Sequence, residues 1–282
     1  MRLLTMTCLA LAATVSAAQA QDLRAVPLPG SRKDDLALPL IVSPANPTAA
    51  ARLNALLQLT YLDGLAKPGA KDPFSRVRYD MNREGSGSTS ALSWSASSQG
   101  RLFAIRITGE TMGAYPTETV DDLLLDGVHG VGVGGVYLFT PEGLKALATQ
   151  LATRRKALLR QAIASEQKGK ADDDAQECIT VQQEALQEQA FDGMHALRLD
   201  ARTIAFPAAL DLPHALLVCD VDLTIALPRQ ELAPYLSAYG KALLDSSLQT
   251  PALPAAWARR VFTGRIGTAP VVPQRGLWVD GC

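Results

Sequence analysis

The absences in this chain narrow its class before any motif does. After the first twenty residues no stretch is apolar for the roughly 20 residues that a membrane-spanning helix needs, so no later span is expected. Net charge is nearly absent: 27 Lys and Arg against 28 Asp and Glu leave −1 over 282 residues. The chain as a whole therefore has no electrostatic attraction to nucleic acid or to anionic lipid. Signatures of metal and nucleophile chemistry are missing too. No CxxC occurs, no GxSxG elbow occurs, and the three histidines, His129, His195 and His214, never stand at a ligand spacing such as HExxH. Ser165-Glu-Gln-Lys168 spells SxxK at the end of a polar helix, without the SDN or KTG elements that would give it meaning. No catalytic residue, metal ligand or cofactor is assigned on these grounds.

What is present is the composition of a folded globular protein, 48% hydrophobic and 20% charged. Residues 1–20, MRLLTMTCLALAATVSAAQA, join an early Arg2, a short apolar run and a small-x-small end at Ala18-Gln19-Ala20, the pattern of a secretory signal peptide. The exported protein then begins near Gln21, in the periplasm or outside the cell. Thr5-Met6-Thr7 before Cys8 does not suit lipidation there. In an oxidising compartment Cys178, Cys219 and Cys282 become disulfide candidates. Cys178 with Cys219 is the preferred pair, both lying in or beside expected strands, and would contribute about 4 kcal/mol in the chain-entropy account. A bond from Cys282 to either of them stays open.

Residues 21–35 form a polar lead, and Leu36–Val42 reads as a first strand, with Pro39 suiting an edge. Leu53, Leu56, Leu57 and Tyr61 recur at helical intervals behind Pro47 and Thr48, which predicts a helix over 47–63. Val77–Tyr79, Ala91–Ala96, Leu102–Ile107 and Thr119–Val128 follow as strands joined by short Gly and Ser turns, an antiparallel meander. Thr140 as N-cap, Pro141 at the first helical position and Glu142 at the positive end open a second helix, running to about Ser165 on Leu144, Leu147, Leu151, Leu158 and Leu159. Lys168–Asp174 reads as a charged loop. A hairpin of Met194–Leu199 and Thr203–Phe206, a long strand over His214–Ile225 and a helix over Glu231–Asp245 come next. Residues 249–282 are a Pro/Gly-rich tail with Trp257 and Trp278 as anchors. The expected class is α+β: mainly antiparallel sheet with three principal helices packed on it, in two strands-then-helix halves, 36–165 and 175–248.

Two features invite a site. In the long strand a period of two puts His214, Asp220, Asp222 and Thr224 on a polar face, opposite Ala215, Leu217, Cys219, Val221, Leu223 and Ile225. Such a face suits a binding surface, or a cation held by the paired carboxylates. The second feature is GVGVGG, Gly130–Gly135, which matches GxGxxG. A dinucleotide loop needs the helix to start inside the motif and an acidic strand end about 20 positions on; here Val136–Phe139 intervenes and the later position is mid-helix. Gly130, Gly132, Gly134 and Gly135 are read instead as a β-turn that reverses the Leu-rich strand, delivers Tyr137–Phe139 to the core, and is a candidate recognition loop.

In this order the segments resemble the extracytoplasmic RsiV-like domain family, that of lysozyme-sensing anti-sigma factors and related cell-envelope domains of unknown function. The likeness covers residues 36–248 and is carried by Leu53-Asn-Ala-Leu56, Gly113-Ala-Tyr-Pro116, Leu138-Phe-Thr-Pro-Glu-Gly-Leu144, Leu199–Phe206 with the strand after it, and Glu231-Leu-Ala-Pro-Tyr-Leu236. It implies an α+β domain that recognises a protein or wall polymer outside the membrane, with lysozyme as the named partner. The membrane tether and sigma-binding segment of the anti-sigma branch are not found in this sequence, so the signalling role is not carried over. The expected function is an exported, non-catalytic binding protein of the cell envelope whose acidic Asp220, Asp222 and Asp172–Asp174 complement a basic partner. The alternative is a metal-dependent cell-wall hydrolase or deacetylase working from the polar face of strand 214–225.

Overall fold

The computed structural model describes residues 22–28, 38–62, 65, 88–112, 116–168, 173–187, 191, 197–200, 202–210, 212–249, 252–253, 264–266 and 269–271. The expected signal peptide, the strand at 77–79, Trp257, Trp278 and Cys282 lie outside them. The class is α+β, with antiparallel sheets throughout. Strands β1 (Arg24–Val26) and β2 (Leu40–Val42) pair first, so the polar lead supplies a strand of its own. Helix α1 (Pro47–Leu62) follows. Asn46 caps it, its Oδ1 accepting from Ala49 N–H at 3.2 Å, and the Asn46 amide also donates to the Val128 carbonyl at 2.9 Å.

Strands β3 (Ser88–Gln99), β4 (Leu102–Met112), β5 (Pro116–Asp126) and β6 (Val131–Gly132) form a meander in that order. Strict alternation on β4 and β5 makes both faces of this sheet part of the core. Phe103, Ile105, Ile107, Leu123 and Leu125 meet Leu53, Leu56 and Leu57 of α1 on one side. Leu102 and Leu124 meet the rest of the molecule on the other.

That other layer begins with a single helical turn, α2 (Gly135–Leu138), and the long α3 (Pro141–Glu166). Thr140 caps α3 by accepting from Gly143 N–H, and Leu147, Leu151, Arg155, Leu159 and Ile163 form one buried stripe along it. Helix α4 (Asp173–Ala185) occupies the ground where a charged loop and then strand around Cys178 were expected. A three-stranded antiparallel sheet, β7 (Arg198–Leu199), β8 (Thr203–Phe206) and β9 (Ile225–Pro228), packs Leu199, Ile204, Phe206, Ile225 and Leu227 into the same cluster.

The long strand 214–225 is not formed. His214–Cys219 is a 3₁₀ helix, held by Leu216 N–H to the Pro213 carbonyl at 2.8 Å and Asp220 N–H to the Leu217 carbonyl at 3.1 Å. The final helix is likewise two pieces, α5 (Arg229–Leu232) and α6 (Ala238–Leu244), because Pro234 ends the first and Ser237 caps the second by accepting from Gly240 N–H. In the tail, β10 (Gly264–Ile266) pairs with β11 (Ala269–Val271), and β11 lies against α1.

Candidate functional site

The face of β4 and β5 turned away from α1 carries polar residues where it leaves the core. Arg106 and Asp122 stand directly opposite in the β4–β5 register. Their pairing is bidentate: Arg106 Nε donates to Asp122 Oδ1 at 2.8 Å and Nη2 to Oδ2 at 2.7 Å. The bond to Asp122 holds the guanidinium proton more firmly than usual. This pair lines a cleft of about 250 Å³ whose facing wall is Leu197, Arg198, Leu199 and Asp200, with Ser95 and Ser97 of β3 on its rim. Ser97 Oγ donates to the Leu199 carbonyl at 3.1 Å and Gln99 Nε2 to the Asp200 carbonyl at 3.3 Å, fastening the small sheet to the large one. Arg198 and Asp200 form a looser pair, 3.5 Å apart. The cleft offers both signs of charge together with hydroxyl groups, which suits a polar or zwitterionic ligand.

A second surface is built around a disulfide. Cys178 on α4 bonds to Cys219 at the end of the 3₁₀ turn, with Cα atoms 4.8 Å apart. Gln182, fully buried one turn on from Cys178, donates to the Cys219 carbonyl at 3.3 Å. The turn so anchored exposes Leu217 (49%) and Val218 (81%). Glu177, Glu184, Asp220 and Asp222 are exposed on these two segments, and neither 173–187 nor 203–228 contains a Lys or Arg. Within a chain of almost balanced charge these two segments carry charge of one sign. Asp222 is held below the usual carboxylate range, first by hydrogen bonds from Thr224 and then by attraction to Arg198.

The residues singled out in the sequence fall in several places. Asp220, Asp222 and Thr224 lie on an extended run after the 3₁₀ turn, while His214 begins that turn, so the four do not form one strand face. Asp220 Oδ1 accepts from Leu210 N–H and Val221 N–H, and Asp222 Oδ1 from Thr224 N–H; both carboxylates brace the local backbone. Among the described residues no group of three His, Cys, Asp or Glu is arranged to hold a metal ion. The glycines of GVGVGG sit in a packed turn. Gly130 has φ +68°, and a Cβ there would fall 2.6 Å from the Ala49 carbonyl oxygen of α1. Gly132 is paired with Leu125 in β6, Gly134 precedes α2, and Gly135 is its first residue. Leu138 and Phe139 reach the core directly after it.

That turn rests on a group the sequence did not single out. Asp126 is fully buried. Its Oδ1 accepts from Val128 N–H at 2.7 Å and His129 N–H at 3.1 Å, and its Oδ2 accepts from the Tyr239 hydroxyl at 2.6 Å and lies 2.6 Å from His129 Nδ1. The carboxylate orients the imidazole and ties the turn to α6, and four partners make it a structural clamp. Comparison with protein-family models, with curated proteins and with solved structures finds no match to this chain. Arg106, Asp122, Arg198 and Asp200 were also missed in the sequence. The available signal was the charged Arg106 in the otherwise apolar run Leu102–Ile107, at the phase opposite Ile105 and Ile107, with Asp122 at the matching phase of the next strand.

Proposed function

We propose that this chain is an exported, non-catalytic binding protein of the cell envelope that captures a protein with a basic surface, lysozyme being the first candidate. The observation that carries the reading is the disulfide-braced pair of α4 and the 3₁₀ turn: exposed Leu217 and Val218 beside exposed carboxylates, on two segments without a Lys or Arg. An apolar anchor with a rim of one charge is the composition by which a folded domain steers and then holds an oppositely charged partner. The signal-peptide pattern of residues 1–20, the RsiV-like order of segments and the disulfide agree with an extracytoplasmic setting. Among the described residues no helix is long and apolar enough to cross a membrane. The cleft at Arg106 and Asp122 favours a second ligand class, wall fragments that carry both amine and carboxylate groups.

Calorimetric titration tests both classes. Lysozyme is expected to bind at low ionic strength, to weaken at least tenfold between about 50 and 300 mM salt as exposed charges are screened, and to lose binding to a Leu217→Ser, Val218→Ser double variant. A peptidoglycan fragment is expected to respond to Arg106→Gln and not to that double variant. Lysozyme heat that is absent at low salt overturns the lysozyme version. Inertness toward both overturns the envelope-binding reading.

A further inference from the structure

A larger cavity, about 490 Å³, opens between α5 and the C-terminal end of α6, within the range of small-molecule sites. Its apolar lining is Ala233, Leu236, Leu244 and Leu248. Leu236 and Leu244 are buried, whereas Leu248 is 44% exposed, one of few large apolar side chains so open among the described residues.

Two cations, Arg229 and Lys241, and one carboxylate, Asp245, line the same cavity; Asp245 attracts Arg229, but neither cation stands in an ion pair among the described residues. Arg229 makes one long hydrogen bond, Nη1 to the Leu244 carbonyl at 3.3 Å, and its buried Nε has no partner. The acids nearby also have other partners. Asp245 Oδ1 accepts from Ser247 N–H and Ser247 Oγ at 2.9 and 2.7 Å, and Glu231 is held by Arg154 at 2.6 Å.

A cation near a helix C-terminus is ordinarily explained by the helix dipole and the last carbonyls. Here Arg101 already fills that role. Its guanidinium, on a residue only 2% exposed, donates to the carbonyls of Ala242 at 2.5 Å, Asp245 at 3.1 Å, Ser246 at 3.1 Å and Leu248 at 2.6 Å. That clamp fixes the 245–248 wall of the cavity in advance of any ligand. Arg229 reaches one carbonyl of the same end, that of Leu244, and its buried Nε, like that of Arg101, has no hydrogen-bond partner.

We propose that this cavity binds an amphiphilic anion, with an aliphatic chain laid against Leu236, Leu244 and Leu248 and a carboxylate received by Arg229 and Lys241. The site is independent of the acidic surface around the disulfide and of the cleft at Arg106. Its ligand class follows from the combination: apolar walls alone would accept any alkyl chain, and two cations against one carboxylate, itself held by Ser247, select the charge of its head.

The test is a titration of the full chain, followed by backbone amide chemical shifts, with sodium decanoate below its micellar concentration. Decyltrimethylammonium is the same-length cation and acetate the same head without the chain. Decanoate is expected to move the amides of Gly100 and residues 244–248 saturably, and the two controls to leave them unmoved. R229Q is expected to weaken decanoate at least tenfold and K241Q several-fold. Lys241 is exposed on α6, so K241Q reports even if R229Q does not fold. The proposal is overturned by the absence of saturation, by an equal response to either control, or by a K241Q protein that binds as tightly as the parent.

Discussion

Asp126 shows how much of this molecule hangs on single side chains. It closes the turn after β5, holds His129, and receives the Tyr239 hydroxyl from a helix more than a hundred residues later. Burial first, then the charge of Asp126 and the hydrogen bond to it, push the Tyr239 phenol well above its ordinary value. Tyr61, near the end of α1 and packed against the first core cluster, donates to Asp121 at 2.8 Å and is raised likewise, by burial first and then by the hydrogen bond to Asp121 and its charge. A phenol whose folded pKa lies above its unfolded one, about 10, stabilises the fold fully below that pH and loses the contribution as pH rises beyond it. Urea unfolding between pH 8 and 11.5 is therefore expected to show stability falling above about pH 10. In Tyr239→Phe the alkaline slope should be shallower by about 1.4 kcal/mol per pH unit; equal slopes would mean the phenol is not protected. None of this was legible in the sequence, where Asp126 is only the end of a Leu-rich run and His129 stands at no ligand spacing. The contact that gives it meaning comes from Tyr239, and no local pattern encodes it.

Elements were legible to the degree that one periodicity ruled them. Helices α1 and α3 follow from their apolar stripes, α3 also from its Thr140 cap, and the meander from alternation, because in each the buried positions are filled mostly by Leu, Ile or Phe; the Asn46 cap of α1 is seen only in the structure. Helix α4 was not, since its inner side is Cys178, Ile179, Gln182 and Ala185, and a buried Gln in place of an aliphatic residue erases the apolar stripe. The segment 214–225 misled for the opposite reason. From Cys219 to Leu227 buried and outward residues do alternate, yet only Ile225–Pro228 finds a strand partner, and the first half turns as 3₁₀ helix to bring Cys219 to Cys178. Since the bond joins residues 41 apart, its reduction is expected to cost about 4 kcal/mol. The loss should be local at first: hydrogen exchange with and without reductant is expected to show α4 and 214–219 losing protection while β3–β5 keep theirs. Unchanged protection of α4 on reduction would show that its packing on α3 suffices.

Across the whole molecule, one sheet serves two cores. Strand β4 contributes Ile105 and Ile107 to the cluster with α1 and Leu102 to the cluster with α3, α6 and the small sheet, while partly buried Tyr137 and Leu253 pack against both. Neither layer can lose its strand without exposing the other. The expected consequence is a single cooperative transition. Ile105→Ala, which leaves a cavity on the α1 side, should lower stability by about 3 kcal/mol, and far-UV and near-UV circular dichroism should shift together. Two separated midpoints would show that the layers melt independently.

The sequence by itself determined the α+β class, strands β3 to β5 of the meander, and helices α1 and α3 with the Thr140 cap, because each depends on local periodicity or a capping residue; it favoured the Cys178–Cys219 bond and left Cys282 open. Tertiary structure alone decided where 214–225 bends, that the GVGVGG turn packs against α1, and that Arg106 meets Asp122, Tyr239 meets Asp126 and Arg229 meets the end of α6. Those outcomes depend on which distant groups share a small buried volume, where the need to satisfy charges and hydrogen bonds outweighs any preference a short segment holds on its own.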